Sequence, residues 1–323
     1  MLKTLSAIVI AASSACALLS ASAAAQSYPA KPVRVVVGFA PGGGVDMSAR
    51  AVGKYLGEAM GQPIIVDNRP GAAGNIGAMH VAKSPPDGYT LLMSNSTIST
   101  PGLFVNMPFD VNKDLEPVSL VAIGPSVLAA HPSFPVRTVK ELVALARAKP
   151  GQISYGSGGI GNITHLEMEL VRSLTGVRME HVPYKGSAPS IVGLVSGEVQ
   201  VLFTSIPAGL GQVRAGRIRA IAVSTLKRSS AMPDVPTIDE SALKGYDAAS
   251  WYGLFMPAGS PKNAVAFVAK EVVKIMQAPD IRDRFMADGF EPAGLGPDEF
   301  AKYLRGEIVK WDKIIKAAGI AAQ

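Results

Sequence analysis

Val33-Arg-Val-Val-Val-Gly-Phe-Ala-Pro-Gly-Gly-Gly-Val-Asp46 reads as a buried strand that runs through a glycine loop into an amphipathic helix. Further along, Ile153-Ser-Tyr-Gly-Ser-Gly-Gly-Ile-Gly-Asn-Ile-Thr-His165 repeats the order of strand, glycines and helix. Each junction leaves backbone N–H groups unpaired at a helix N-terminus, where the helix dipole also favours negative charge. One such loop is common in α/β proteins. Two of them, in what read as separate lobes, describe a jaw that closes on an anion.

Around these junctions the hydrophobic pattern alternates. Arg34–Val37, Ile64–Val66 and Tyr89–Met93 read as strands, with helices over Val45–Met60 and Asn75–Lys83, the second capped by Asn75. That βαβαβ order predicts a parallel sheet with right-handed crossovers. The alternation resumes with strands at Ser126–Ala130, Ile153–Tyr155, Arg178–Val182, Val199–Phe203 and Ile218–Val223. Helices are expected between them at Thr138–Ala148, Asn162–Leu174, Pro189–Ser196 and Pro207–Ala215. Lys227–Asp247 reads as a loop returning to the first lobe, where Trp251–Met256 adds a strand. Helical patterns at Asn263–Gln277, Asp280–Asp288 and Pro297–Ala317 finish the chain. The fold class is therefore α/β: two parallel-sheet lobes, residues 26–124 with 250–323 and residues 125–249, joined by a two-crossing hinge. Open α/β sheets bind ligands at the carboxyl ends of their strands, where both glycine loops lie.

Composition narrows the setting. Lys3, the apolar stretch Leu5–Leu19 and Ser22-Ala-Ala-Ala25 before Gln26 have the form of a cleavable export signal. Cys16 lies within it, in a poor lipid-attachment context, so the exported chain is expected to carry no cysteine and no disulfide. The net charge is +6, and one of those charges is Lys3. The rest is spread thinly, without the basic blocks and interleaved aromatics of a nucleic-acid binder.

Catalytic motifs fit poorly. Gly156, Gly158 and Gly161 satisfy G-x-G-x-x-G, and Glu180 stands where a ribose-binding acid would. That leaves three readings: a dinucleotide loop, a structural turn, or a carboxylate cradle. The last is favoured, because Asn162, Thr164 and His165 bring polar groups to the helix start and an exported protein meets no steady NAD supply. The first loop lacks the Lys-Ser/Thr of a Walker loop, and Asp46 reads either as an N-cap or as a lining residue. Tyr155 stands where the first glycine of G-x-S-x-G belongs, and no histidine has a marked acidic partner. His165 and His181 lack metal-site spacing, and His165 reads equally as structural or ligand-facing.

Beyond single motifs, the chain resembles a known family. Tyr28-Pro-Ala-Lys-Pro-Val-Arg34, Phe39-Ala-Pro-Gly-Gly-Gly-Val-Asp46, Val66-Asp-Asn-Arg-Pro-Gly71 and Gly74-Asn-Ile-Gly77 are similar to the Bug family of periplasmic solute-binding proteins. Pro86-Asp-Gly-Tyr-Thr-Leu91, Thr164-His-Leu166, His181-Val-Pro-Tyr-Lys-Gly-Ser187 and Pro233-Asp-Val-Pro-Thr237 extend the match. The resemblance implies a periplasmic-binding-protein fold of the type II kind that clamps a small di- or tricarboxylate, without cofactor or metal. It implies a membrane transporter of the tripartite tricarboxylate kind, or a signalling partner, and a monomeric receptor. Carried onto this chain, it points to Phe39, Ala40, Gly42, Gly43, Gly44 and Asp46 in the first lobe. In the second it points to Ser157, Gly158, Gly159, Asn162, Thr164 and His165. Ser94 and Ser96 with Asn95 between them, and Ser205, would set specificity at the distal end, with Tyr184 at the cleft edge. The alternative is a secreted enzyme that uses the same cleft.

Overall fold

The computed structural model describes residues 28–103, 109–317 and 319–320; the expected export signal, with Cys16 and the Ala25/Gln26 cleavage point, lies outside the described residues. The first glycine junction starts from β1 (Val33–Val37), four of whose five residues are buried. A strand covered on both faces needs such a run. It feeds α1 (Gly44–Met60), which buries Val45, Ala49, Val52, Leu56 and Met60 along one stripe and stops at left-handed Gly61.

β2 (Ile64–Asn68) and β3 (Thr90–Asn95) flank β1, both parallel to it, with α2 (Asn75–Ala82) on the crossover. The cap of α2 departs from the expectation. Gly74, at φ 96°, is the N-cap, and Asn75 is already helical. Close backbone packing is the reason: a Cβ on Gly38 would lie 2.6 Å from the Gly74 Cα, and one on Gly77 would lie 2.7 Å from the Gly38 Cα.

The six-stranded sheet has the order β11-β4-β10-β3-β1-β2. Its additional strands, β4 (Leu115–Gly124), β10 (Ser250–Pro257) and β11 (Glu291–Leu295), join antiparallel. β4 and β11 escaped the sequence reading because Glu116-Pro117 interrupts one and Glu-Pro-Ala-Gly-Leu contains little β-forming signal.

The second sheet orders as β7-β6-β8-β5-β9. These strands are β5 (Ser126–Ala130), β6 (Ser154–Ser157), β7 (Glu180–Pro183), β8 (Val201–Ser205) and β9 (Arg219–Val223). β6 runs parallel to β7 and β8, while β5 runs antiparallel to β8 and β9. Its helices are α3 (Val139–Ala148), with a Thr138–Glu141 capping box, α4 (Ile163–Thr175), α5 (Ser187–Val195) and α6 (Ile206–Arg214).

Only Pro125 separates β4 from β5, and the chain returns from the second sheet into β10. Ser250 pairs with Gly124, so the two crossings run side by side. α7 (Lys262–Gln277) and α8 (Pro279–Ala287) then cover the first lobe, and α9 (Pro297–Ala317) bridges both. Phe300 and Leu304 of α9 join a first-sheet core, whereas Trp311 and Ile315 join the second-sheet core.

Trp311 is fully buried. Replacing it with alanine should cost about 3–5 kcal/mol, the usual range for a large aromatic removed from a core. Urea unfolding would show a lower midpoint, and an unchanged midpoint would mean that α9 does not anchor the second lobe.

Candidate functional site: an interlobe cleft of amides and hydroxyls

At the first junction the helix begins late. Gly43 is the N-cap without a side-chain cap, and the first backbone bond of α1 is Met47 N–H to Gly43 O at 2.9 Å. Among the described residues, the N–H groups of Gly43, Gly44 and Val45 meet no protein acceptor. Asp46 is neither cap nor lining. Its carboxylate reaches back to accept the Gly42 N–H at 2.9 Å, and takes Asn68 Nδ2 and the Arg50 side chain as further donors. Burial pushes the Asp46 pKa up, but those donors outweigh it and hold the group below the usual carboxylate range. Asn68 also donates to Phe39 O at 3.0 Å, so one buried carboxylate fixes the loop through three elements.

The second loop is wired internally. Gly158 N–H donates to Thr164 Oγ1 at 2.8 Å, Gly159 N–H to Ser157 Oγ at 3.1 Å and Gly161 N–H to His165 Nδ1 at 3.2 Å. Asn162 caps α4 by accepting the Thr164 N–H. The Ile163 N–H reaches across the cleft to Thr97 Oγ1 at 3.2 Å, and Ala40 N–H crosses the other way to Lys185 O at 3.3 Å.

Behind this loop stand three stacked rings, Tyr155, His181 and His165, the two imidazoles 4.1 Å apart. His181 Nε2 lies 2.7 Å from Ser157 Oγ, a contact that on distance alone could be a nucleophile and its base. Burial, with His165 and Arg172 nearby, lowers the His181 pKa to about 3. A base that weak cannot hold a serine proton near neutral pH. Ser157 is also fully buried and shared with Gly159. The dyad therefore braces the loop.

The two loops meet at a cavity of ≈ 20 Å³ lined by Phe39, Gly43, Gly44, Val45, Asn95, Ser126, Asn162, Ile163, Thr164, Ser187, Ser205, Ser250 and Tyr252. No charged side chain is among them. Phe39 also borders a vestibule of ≈ 350 Å³ formed by Gly38, Gly71–Gly74, Gly158–Ile160 and Pro183–Lys185. A larger trough of ≈ 650 Å³ runs along α1 and edge strand β2, past Arg50, Lys54 and Glu58 and away from both loops.

Of the residues expected at the site, Phe39, Gly43, Gly44, Asn162, Thr164 and Ser205 line the cavity, while Gly158, Gly159 and Tyr184 face the vestibule. Asp46, Ser157 and His165 hold the loops from behind, Gly42 donates to Asp46, and Ala40 bonds across the cleft to Lys185. Ser94 and Ser96 are buried, and Ser96 Oγ donates to Ser250 Oγ at 3.1 Å. Sequence reasoning missed Ser126, Ser250 and Tyr252. The legible signal for Ser126 was a single hydroxyl opening the otherwise apolar strand Ser126-Val-Leu-Ala-Ala130.

Gly44 packs against the far wall. A Cβ there would lie 2.6 Å from Ser205 Oγ and would also strike the Tyr252 hydroxyl. Among the described residues, Ser126 Oγ and Ser205 Oγ are buried without a hydrogen-bond partner, as are both carboxyl oxygens of Glu167. Buried polar groups are nearly always paired, so this concentration beside one cavity is unusual.

Two α/β lobes joined by paired crossings, with a polar cleft between them, form the two-lobed fold of periplasmic binding proteins. Residues 48–320 match the tripartite tricarboxylate transporter family receptor family, TctC. Protein BugT of Bordetella pertussis is 34% identical over 304 residues, covering 93% of each chain. The structure of R. palustris Rpa4515 with adipate superposes with a TM-score of 0.89 at 36% identity, covering 91% of this chain and 99% of that one. MatC from Rhodopseudomonas palustris with bound malate gives 0.83 at 29% identity, with 89% and 100% covered. The chain belongs to the TctC receptor family of periplasmic solute-binding proteins, and it is not an enzyme.

The ring stack carries a pH signature. The unfolded chain protonates His181 near 6.5, while the folded chain resists until about 3. Its contribution is therefore present above pH 6.5 and lost as the pH falls from 6.5 toward 3. Melting curves across that window should show wild type losing more stability than His181→Gln. Parallel curves would show that His181 titrates normally in the fold.

Proposed function

We propose that this protein captures a small organic di- or tricarboxylate between its lobes and delivers it to a tripartite transporter or a signalling partner. The observation that carries this reading is the convergence, on one cavity without a charged side chain, of the α1 amides and the hydroxyls of Ser126, Ser205 and Tyr252. Donors of this kind suit a carboxylate, each hydrogen bond to the charged group contributing about 1.5–3 kcal/mol. Two family relatives solved with adipate and with malate support the ligand class.

In this reading Phe39, Gly43, Gly44, Asn162, Thr164 and Ser205 touch the ligand, and Gly158, Gly159 and Tyr184 guard the mouth. Ala40, Gly42, Asp46, Ser157 and His165 keep the loops in shape, and Ser94 and Ser96 act through Ser250. A cavity of ≈ 20 Å³ holds about one water molecule, so a dicarboxylate requires the lobes to part. The side-by-side crossings at Gly124–Ser126 and Ser250 are the natural hinge. The domains are then residues 26–124 with 250–323, and 125–249. The receptor is exported, cleaved near Ala25/Gln26, and acts as a monomer.

A thermal-shift screen of mono-, di- and tricarboxylates tests the reading. At a hundredfold excess over Kd a ligand adds about 2.7 kcal/mol, which for a chain of this size moves the midpoint by roughly 2 °C or more. Gly44→Ala should lower the unliganded midpoint, since its Cβ strikes Ser205 and Tyr252 and overpacking of a buried site costs about 1–3 kcal/mol, and should abolish the shift. A sugar or peptide that stabilises the protein where no carboxylate does would overturn the proposal.

A further inference from the structure

Glu167 plays no part in the site as described, yet among the described residues it is the acidic side chain that is fully buried with both oxygens unpartnered. It lies on α4, three and four residues beyond Thr164 and Ile163, which line the cavity, and so on the same helix face. It is fully buried, and neither carboxyl oxygen has a hydrogen-bond partner among the described residues. Ser126 and Ser224 lie beside it. Ser126 lines the cavity, and its own hydroxyl is also unpaired.

The other groups around Glu167 are phenols. Tyr246, from the loop before β10, donates its hydroxyl to the Glu167 backbone oxygen at 2.9 Å, and Tyr252 of β10 lies within range of its field. Burial keeps both phenols protonated. Asp247 acts on Tyr246 from the same loop, and on α4 itself His165 and Glu169 pair with each other at 3.7 Å. Among the described residues no cation acts on the Glu167 carboxyl. Burial therefore drives its pKa well above the usual range, and the two serines offset only part of that.

The direction of the hydrogen bonds follows from one fixed donor. Ser126 N–H donates to Ser224 Oγ at 3.1 Å, which leaves the Ser224 hydroxyl hydrogen to be given elsewhere. A rotation of these side chains would let a neutral Glu167 accept it on its carbonyl oxygen and give its own proton to Ser126 Oγ. Ser126 then turns its hydroxyl hydrogen into the cavity. If Glu167 ionises, both serines donate to it, and Ser126 presents lone pairs to the cavity instead. One proton decides whether this wall attracts or repels an anion.

We propose that Glu167 is a positioning residue for the ligand: as a neutral acid it sets Ser126 as a hydrogen-bond donor on the cleft wall, so that carboxylate capture is coupled to retention of one buried proton. This rests on the carboxylate reading above.

Two measurements test it. Without any ligand, infrared difference spectra of wild type against Glu167→Gln at pH 7 should show a protonated carboxyl band present only in wild type; its absence overturns the proposal. Calorimetric titration with adipate from pH 6 upward, through the pH at which the infrared band disappears, is the second. Wild-type affinity should fall, approaching tenfold per pH unit, once the pH passes the point at which the infrared band is lost, while Glu167→Gln, whose amide is a permanent donor, should match wild type below that point and stay flat above it. A Glu167→Leu variant, which cannot donate, should bind more weakly than Glu167→Gln at pH 6. Parallel pH profiles in wild type and Glu167→Gln overturn the proposal, as does equal binding by the Gln and Leu variants. If adipate binds neither wild type nor Glu167→Gln at any pH, the failure falls on the carboxylate reading, and the infrared arm still decides whether Glu167 holds its proton.

Discussion

The structure depends on one close approach: the first turn of α1 must come up against the opposite wall with nothing between them. At Gly44 a single added carbon would strike Ser205 and Tyr252. That contact brings the open backbone N–H groups of α1 and the Ser205 hydroxyl of the other lobe onto one small cavity. The surroundings serve the same end. Buried valines hold β1 rigid, Asp46 ties Gly42, Arg50 and Asn68 into one bracket, and Gly38 packs its backbone directly against Gly74. Loosening any of these would move the helix terminus, and a terminus displaced by an ångström offers its dipole to water rather than to a ligand.

The two glycine loops look alike as sequence and behave differently as structure. The first leaves its amides open; the second spends them on Thr164, Ser157, His165 and Thr97. The small cavity between the loops has no lysine or arginine among its lining residues, which has a physical logic. A buried cation would need a partner whenever the cleft closed, and an unpaired buried charge is far more costly than an unpaired amide. Fixed dipoles can be desolvated at lower cost and still favour an anion when one arrives.

Most of the architecture was legible because it rests on periodicity. The valine run, the 3–4 spacing of α1 and the strand–glycine–helix junctions each encode a local structure that the tertiary fold did not overrule. β4 and β11 were illegible for the opposite reason: Pro117 and Pro292 sit in strands whose identity comes from their neighbours. At the site, the sequence pointed to both glycine loops but could not tell an open amide from a satisfied one, because that depends on which side chain folds back. Asp46 illustrates the gap. Its place in the first turn suggested a cap, and only the geometry showed it reaching back to Gly42. Ser126, Ser250 and Tyr252 depended on something no local pattern contains, the pairing of Gly124 with Ser250 that lays the two crossings side by side.

That pairing also explains why the unsatisfied groups gather where they do. Ser126, Ser250 and Tyr252 lie at the crossings themselves, so in the proposed capture a parting of the lobes about this line would expose the cavity floor to water and leave the two sheets intact. Closing them again buries the Ser126 and Ser205 hydroxyls, and each buried polar group left unpaired costs about 1–3 kcal/mol. A ligand that pairs them removes that penalty only in the closed form, and a ligand shifts a two-state equilibrium by its differential affinity for the two states. The polar floor therefore works against closure without a ligand and in favour of closure around one. A fully apolar floor would give a more stable closed protein, and it would also give one that shuts with nothing inside.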